Sequence, residues 1–278
     1  MGRRLLVGLA LGLLSGLWSF SSAPPCPFRT GDEAGGMHRR LETAHGPVHV
    51  WTPDGYDPRT AGVVVYVHGY FTAVDQAWQE HRLADQFRDS GLNAVFIAPA
   101  APAGYQDPVA WPDLAPLLEA VERGLGDRLP GGPLVVAGHS GAFRTIAGWV
   151  GDRRIRQILL IDALYHNEAE FARWLAGSRR TEPRQLVLVA LETLGRAERF
   201  VRSFGSAVRK SAIPESPETL SATERRSRLL LFRSQYEHME LVTGGKVLPA
   251  LLRLGPLGPA PAAEARIHAA TPLGVVAR

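Results

Sequence analysis

The chain has 278 residues, 45% of them apolar, and a formal charge of +4, which fits one large α/β domain with a substantial core. The basic charge is scattered over the doublets Arg39-Arg40, Arg153-Arg154, Arg179-Arg180 and Arg225-Arg226, a pattern that speaks against nucleic-acid binding. The single cysteine, Cys26, excludes an internal disulfide framework and a cysteine-based metal site.

Arg3 and Arg4 precede an uncharged apolar run from Leu5 to Trp18, followed by Ser21, Ser22 and Ala23. This reads as a signal peptide over 1–23, cut after Ala23, and implies export to a periplasm or the exterior. The run falls short of the ~20 residues of a comfortable span. Membrane association is therefore expected only if the segment stays uncleaved. Ala23-Pro24-Pro25 is a poor box for lipidation of Cys26. Residues 24–40, rich in Pro, Gly and charge, read as a flexible lead-in to a domain over 41–254.

Within the domain, strand and helix patterns alternate, which predicts a mostly parallel sheet covered on both faces. Val48–Trp51 alternates like a half-buried strand, and Val63–Val67 is a β-branched run suited to burial on both sides. Asp75 is placed to cap a helix carrying Ala77, Leu83, Ala84 and Phe87 on one side and ending at Gly91. A strand at Ala94–Ala98 and an amphipathic helix after Asp113 follow. Leu134–Ala137 is again a strand, then come a helix from Phe143 to Val150, a strand at Ile155–Ile161 and a helix from Asn167 to Ala176. Leu186–Leu191 and Leu229–Phe232 are the last two predicted strands, and a short helix runs from Val247 to Leu254. Residues 205–226 read as an irregular polar insertion, and 255–278 as a disordered tail.

The chemistry centres on Gly138-His139-Ser140-Gly141-Ala142. A serine hydroxyl needs a base to take its proton, and that base needs an orienting acid. In a tight strand-to-helix turn, the positions two before and two after the apex serine must be small, as Gly138 and Ala142 are. The second is Ala where the usual signature has Gly. An apolar strand runs directly into the turn, and a helix-compatible segment leaves it.

His68-Gly69-Tyr70 closes the Val63–Val67 strand. With this His-Gly, the later Gly-x-Ser-x-small elbow and a late histidine, the chain resembles the α/β-hydrolase superfamily across residues 40 to 254. The resemblance implies an α/β-hydrolase fold, without a large cap domain because only one helix fits between Asp162 and Gln185. It also implies an oxyanion hole from the backbone amides of Tyr70 and Gly141, with His68 structural. His238, shortly after the last strand, is the candidate base, and His166 is its rival. The acid is Asp162, which ends an apolar strand with no nearby cation, or alternatively Glu192 at the end of the next strand.

These residues imply a serine hydrolase acting on a small-molecule ester or acyl substrate, carboxylesterase-like, with no metal and no organic cofactor. His166-Asn167-Glu168 lacks a second histidine at helical spacing for a metal, and no phosphate loop follows the first strand. A peptidase or amidase on the same triad, or a non-catalytic binding protein on the scaffold, are the alternatives.

Overall fold

The structure, a computed structural model, describes residues 28–261; the predicted leader, Cys26 and residues 262–278 lie outside it. The chain opens with β1 (Phe28–Asp32), β2 (Gly36–Leu41) and β3 (Val48–Pro53). Next come β4 (Gly62–Val67), α1 (Val74–Glu80), α2 (Leu83–Ser90), β5 (Ala94–Pro99) and α3 (Leu114–Leu125). The middle holds β6 (Leu134–His139), α4 (Phe143–Trp149), β7 (Ile155–Ile161), α5 (Glu168–Ala176) and β8 (Gln185–Ala190). The last part holds α6 (Leu194–Arg202), β9 (Val208–Lys210), α7 (Ala222–Arg225), β10 (Leu229–Arg233), α8 (Glu240–Thr243) and α9 (Val247–Leu252).

The strands form one sheet in the order β1-β2-β3-β5-β4-β6-β7-β8-β10-β9. It is antiparallel through β1, β2, β3 and β5, and parallel from β5 onward. The fully buried, β-branched β4 explains the layering, because successive side chains must point to opposite faces. Val63, Val65 and Val67 pack with α3 to α6, while Val64 and Tyr66 pack with α1, α2, α8 and α9. Helices therefore cover both faces. The next strand after β4 pairs on one side of it and β6 pairs on the other. The chain order reverses at that point, and the crevice outside the carboxyl ends of such strands is where open α/β sheets bind ligands. Among the described residues, the segment between β7 and β8 contains a single helix and no cap domain, and no helix is long and apolar enough to cross a membrane.

Five expectations are corrected. Residues 28–41 form a hairpin on the sheet edge, where a flexible lead-in was expected. Its turn has Ala34 at φ 53° and Gly35 at φ 70°, closed by the Glu33 amide on the Gly36 carbonyl at 2.9 Å. Two consecutive left-handed residues are what a tight hairpin turn requires. Asp75 does not cap; it lies inside the first turn of α1, taking the Arg40 guanidinium at 2.6 and 2.8 Å and His49 Nε2 at 2.7 Å. The helix predicted through to Gly91 is broken at Arg82, whose φ is 50°. The polar insertion contains β9 on the sheet edge and α7 with a Ser221–Glu224 capping box. Finally, residues 255–260 belong to the domain. The Asn93 amide bonds Gly258 O at 2.9 Å, Ala260 N bonds Gly91 O at 2.8 Å, and the Ala260 side chain is buried.

Candidate active site

β6 delivers the chain to Ser140, which adopts φ 52° before a single 3-10 turn leads into α4. A left-handed backbone at a residue with a Cβ is strained, and such strain persists only where the surroundings enforce it. The surroundings here are close. A Cβ on Gly138 would sit 2.7 Å from Ala142 Cβ and against Ile146, and one on Gly69 would sit 2.9 Å from Ser140 Cβ. Glycine at both positions lets the ends of β4 and β6 meet around the serine. Ser140 is half-buried, so its hydroxyl reaches the rim of the sheet.

Asp162 follows β7 directly, also left-handed at φ 44°, and is fully buried. Its carboxylate accepts five protein donors. They are the amides of Leu191, Glu192 and Thr193 at 3.0, 3.2 and 3.0 Å, the Thr193 hydroxyl at 2.8 Å, and His238 Nδ1 at 2.7 Å. Burial alone would raise the acid's pKa, but the bonds from His238, Thr193 and Leu191 outweigh it and hold the pKa well below the usual carboxylate range. Asp162 in turn raises the pKa of His238, against the opposing effect of burial. His238 sits on the loop after β10, and His139 Nε2 donates to its backbone carbonyl at 3.0 Å. The two rings lie 4.4 Å apart.

Ser140 and His238 line one chamber of about 390 Å³, together with Glu80, His81 and Glu192. Ser140 also lines a second, of about 570 Å³, walled by Tyr70, Tyr105, Phe143 and Tyr165. Tyr70 and Gly141 border it on the serine side, the Tyr70 ring packed so closely on Gly141 that a Cβ there would fall 2.5 Å from the ring. Arg144, the second residue of α4, donates to Tyr70 Oη at 3.3 Å and to the carbonyls of Tyr105 and Asp107 at 2.7 and 3.0 Å. It thereby ties the Tyr70 loop and the 104–107 loop to the helix that carries the serine.

No family model and no curated protein matches this sequence. Solved structures do match. An S-formylglutathione hydrolase from Agrobacterium tumefaciens is 12% identical, with 81% of this chain and 96% of that chain aligned at a TM-score of 0.52. A serine-to-alanine variant of the feruloyl esterase module from Clostridium thermocellum, complexed with sinapinate, is 11% identical at 0.53, covering 80% and 93%. A ferulic acid esterase is 12% identical at 0.51, covering 78% and 97%. The chain has the α/β-hydrolase fold.

On that fold, each residue singled out from sequence has a definite place. Glu192 does not reach His238 with a bond; its carboxylate accepts the Tyr165 hydroxyl at 2.6 Å, while its backbone amide serves Asp162. His166 stands in the aromatic chamber and forms no ion pair among the described residues. His68 is structural, its Nδ1 donating to Gly69 O at 2.7 Å and its Nε2 accepting from Ala101 N at 3.2 Å. Ligating atoms of Asp162, Glu192 and His238 lie within 4.8 Å of one another, the spacing a metal would need. The Asp162 carboxylate is taken up by its five donors, and that of Glu192 accepts the Tyr165 hydroxyl. Thr193, Arg144 and Tyr165 carry no motif, and the bond of His139 to the His238 loop is not implied by its place in the serine turn; each acts through a neighbour far away in the chain.

Burial holds His81 down to about 4 and His139 to about 3, the latter aided by the neighbouring rings of His238 and His81. Both remain neutral in the folded chain at pH 5, whereas an unfolded histidine protonates near 6.5. Below about pH 6.5 the unfolded state thus gains protons that these residues refuse, and stability falls as pH drops toward 4. His238, with its raised pKa, works in the opposite sense, but burial lowers the pKa of His38, His49 and His68 as well, so it is one group against five. The urea midpoint is expected to be lower at pH 5 than at pH 7.5; an equal or higher midpoint at pH 5 contradicts the burial assigned to these rings.

Proposed function

We propose that this chain is an exported serine hydrolase that cleaves carboxylic esters through an acyl-enzyme on Ser140. The observation that carries the reading is the Asp162–His238 pair, bonded at 2.7 Å, on a chamber that Ser140 also lines. His238 takes the Ser140 proton as the hydroxyl oxygen attacks the ester carbonyl, and Asp162 stabilises the imidazolium that forms. The oxyanion is received by the backbone amides of Tyr70 and Gly141, the latter in the first helical turn, where amides point outward. His238 returns the proton to the departing alkoxide oxygen. A water, deprotonated by His238, then attacks the acyl carbon and releases the acid and Ser140.

The acyl portion has its own chamber. The proton for the alcohol comes from His238, so the alcohol lies on the His238 side, leaving the aromatic chamber to the acyl group. Four aromatic rings in a cavity of about 570 Å³ favour a planar or aromatic acyl group over a short one. The esterases that share the fold support the ester class, and the one solved with sinapinate accords with an aromatic acyl group. Export belongs to the same reading and is supported by Arg3-Arg4, the apolar run to Trp18 and Ser21-Ser22-Ala23.

A fluorophosphonate probe is expected to label the wild-type chain and to leave Ser140→Ala unlabelled. An unlabelled wild type would instead support a binding protein on the hydrolase scaffold. In the expressing cell, Edman sequencing of the mature chain is expected to begin at Pro24; a chain retaining Met1 or Gly2 would remove the cleaved-leader reading.

A further inference from the structure

His81, which lines the chamber shared by Ser140 and His238, carries a buried donor that the ester mechanism does not use. His81 is 1% exposed and lines this chamber, yet its Nε2 has no hydrogen-bond partner among the described residues. Its Nδ1 is 2.9 Å from the equally buried hydroxyl of Tyr66. Burial pushes that phenol's pKa far up and keeps it protonated. If the imidazole donated to the phenol, the phenol's own proton would have no acceptor, since His81 is its one partner among the described residues. The phenol therefore donates to Nδ1, and the proton of the neutral imidazole resides on Nε2. A buried N–H left without an acceptor costs ~1–3 kcal/mol. Such orphans in native proteins call for an explanation.

Two carboxylates border the same chamber with oxygen to spare. Glu80 shares Oε1 with Gln76 Nε2 at 2.8 Å, and Glu192 shares Oε2 with the Tyr165 hydroxyl. Neither forms an ion pair among the described residues. Phe71, 87% exposed and held at φ 64°, adds an apolar face on this chamber. One donor, two acceptors and an aromatic face describe a partner that both gives and takes hydrogen bonds. A hydroxyl does both; an alkylammonium would satisfy the carboxylates but leave His81 orphaned, and an anionic group would meet two like charges.

Resting on the acyl-enzyme reading, we propose that His81, Glu80 and Glu192 form an alcohol subsite that selects esters of polyhydroxylated alcohols. A hydroxyl beyond the scissile oxygen accepts from His81 Nε2, and its own proton, or that of a neighbouring hydroxyl, goes to Glu80 or Glu192. The specificity lies in the leaving group, separate from the aromatic chamber that takes the acyl group.

The test is kcat/KM for benzoate esters of methanol, glycerol and glucose (through its primary hydroxyl), with the acyl group held constant. Wild type is expected to favour the glyceryl and glucosyl esters over the methyl ester by about tenfold, the value of one or two buried hydrogen bonds. In His81→Phe the ratio of glyceryl to methyl ester should collapse to about one. Because that change also strips Tyr66 of its partner and could unfold the chain, Glu80→Gln provides a second variant at an exposed position; its ratio should fall by about threefold. A wild type that turns over all three esters equally, or variants that fold and keep the wild-type ratio, would overturn the alcohol subsite and leave the acyl-enzyme intact. A chain that hydrolyses none of the esters and resists the fluorophosphonate would sink both readings together.

Discussion

The site is organised around one buried negative charge. Moving a carboxylate out of water costs several kcal/mol unless it is fully paired, and Asp162 meets that cost with five donors from two other parts of the chain. Three of those donors are consecutive backbone amides following β8, so satisfying the charge also dictates the path of residues 191–193. The fifth is His238, and the same bond fixes which ring nitrogen carries the proton and where the loop after β10 must lie. Losing the carboxylate would thus release the β8 exit and the β10 exit at once.

The strain at the rim belongs to the same arrangement. Ser140 and Asp162 both carry left-handed φ values, at the carboxyl ends of neighbouring strands. Each is held by close contact from one side: Gly69 and Gly138 against the serine turn, the Leu191–Thr193 amides against the aspartate. His139, between β6 and the His238 loop, links the two through its bond to the His238 carbonyl.

Local constraints were readable in the sequence and long-range ones were not. The Ser140 turn was legible because Gly138 and Ala142 respond to crowding within five residues and an apolar strand leads into them. Asp162 stood out as a charge closing an apolar strand with no cation nearby. Choosing between it and Glu192 depends on side-chain reach across two parallel strands, which no spacing encodes. Backbone donors such as the amides at 191 to 193 leave no trace in residue identity, and so the stabilisation of Asp162 was invisible. Asp75 looked like a cap because its true partner, Arg40, is thirty-five positions away. The edge hairpin was missed although Ala34-Gly35-Gly36 is a reasonable tight-turn signal, its flanks being too charged to look like strands. His81 falls inside the helix predicted through to Gly91, because the left-handed break at Arg82 has no signature in an arginine.

The pairing of Asp162 with His238 is the claim that most directly bears testing, and the ring can report on it by itself. NMR titration of His238 in the wild type should give a pKa above 6.5. In Asp162→Asn it should fall by about one pH unit or more, with a much smaller change in Glu192→Gln. A His238 that titrates below 6.5 in the wild type, or that responds to Glu192 and ignores Asp162, would contradict the account.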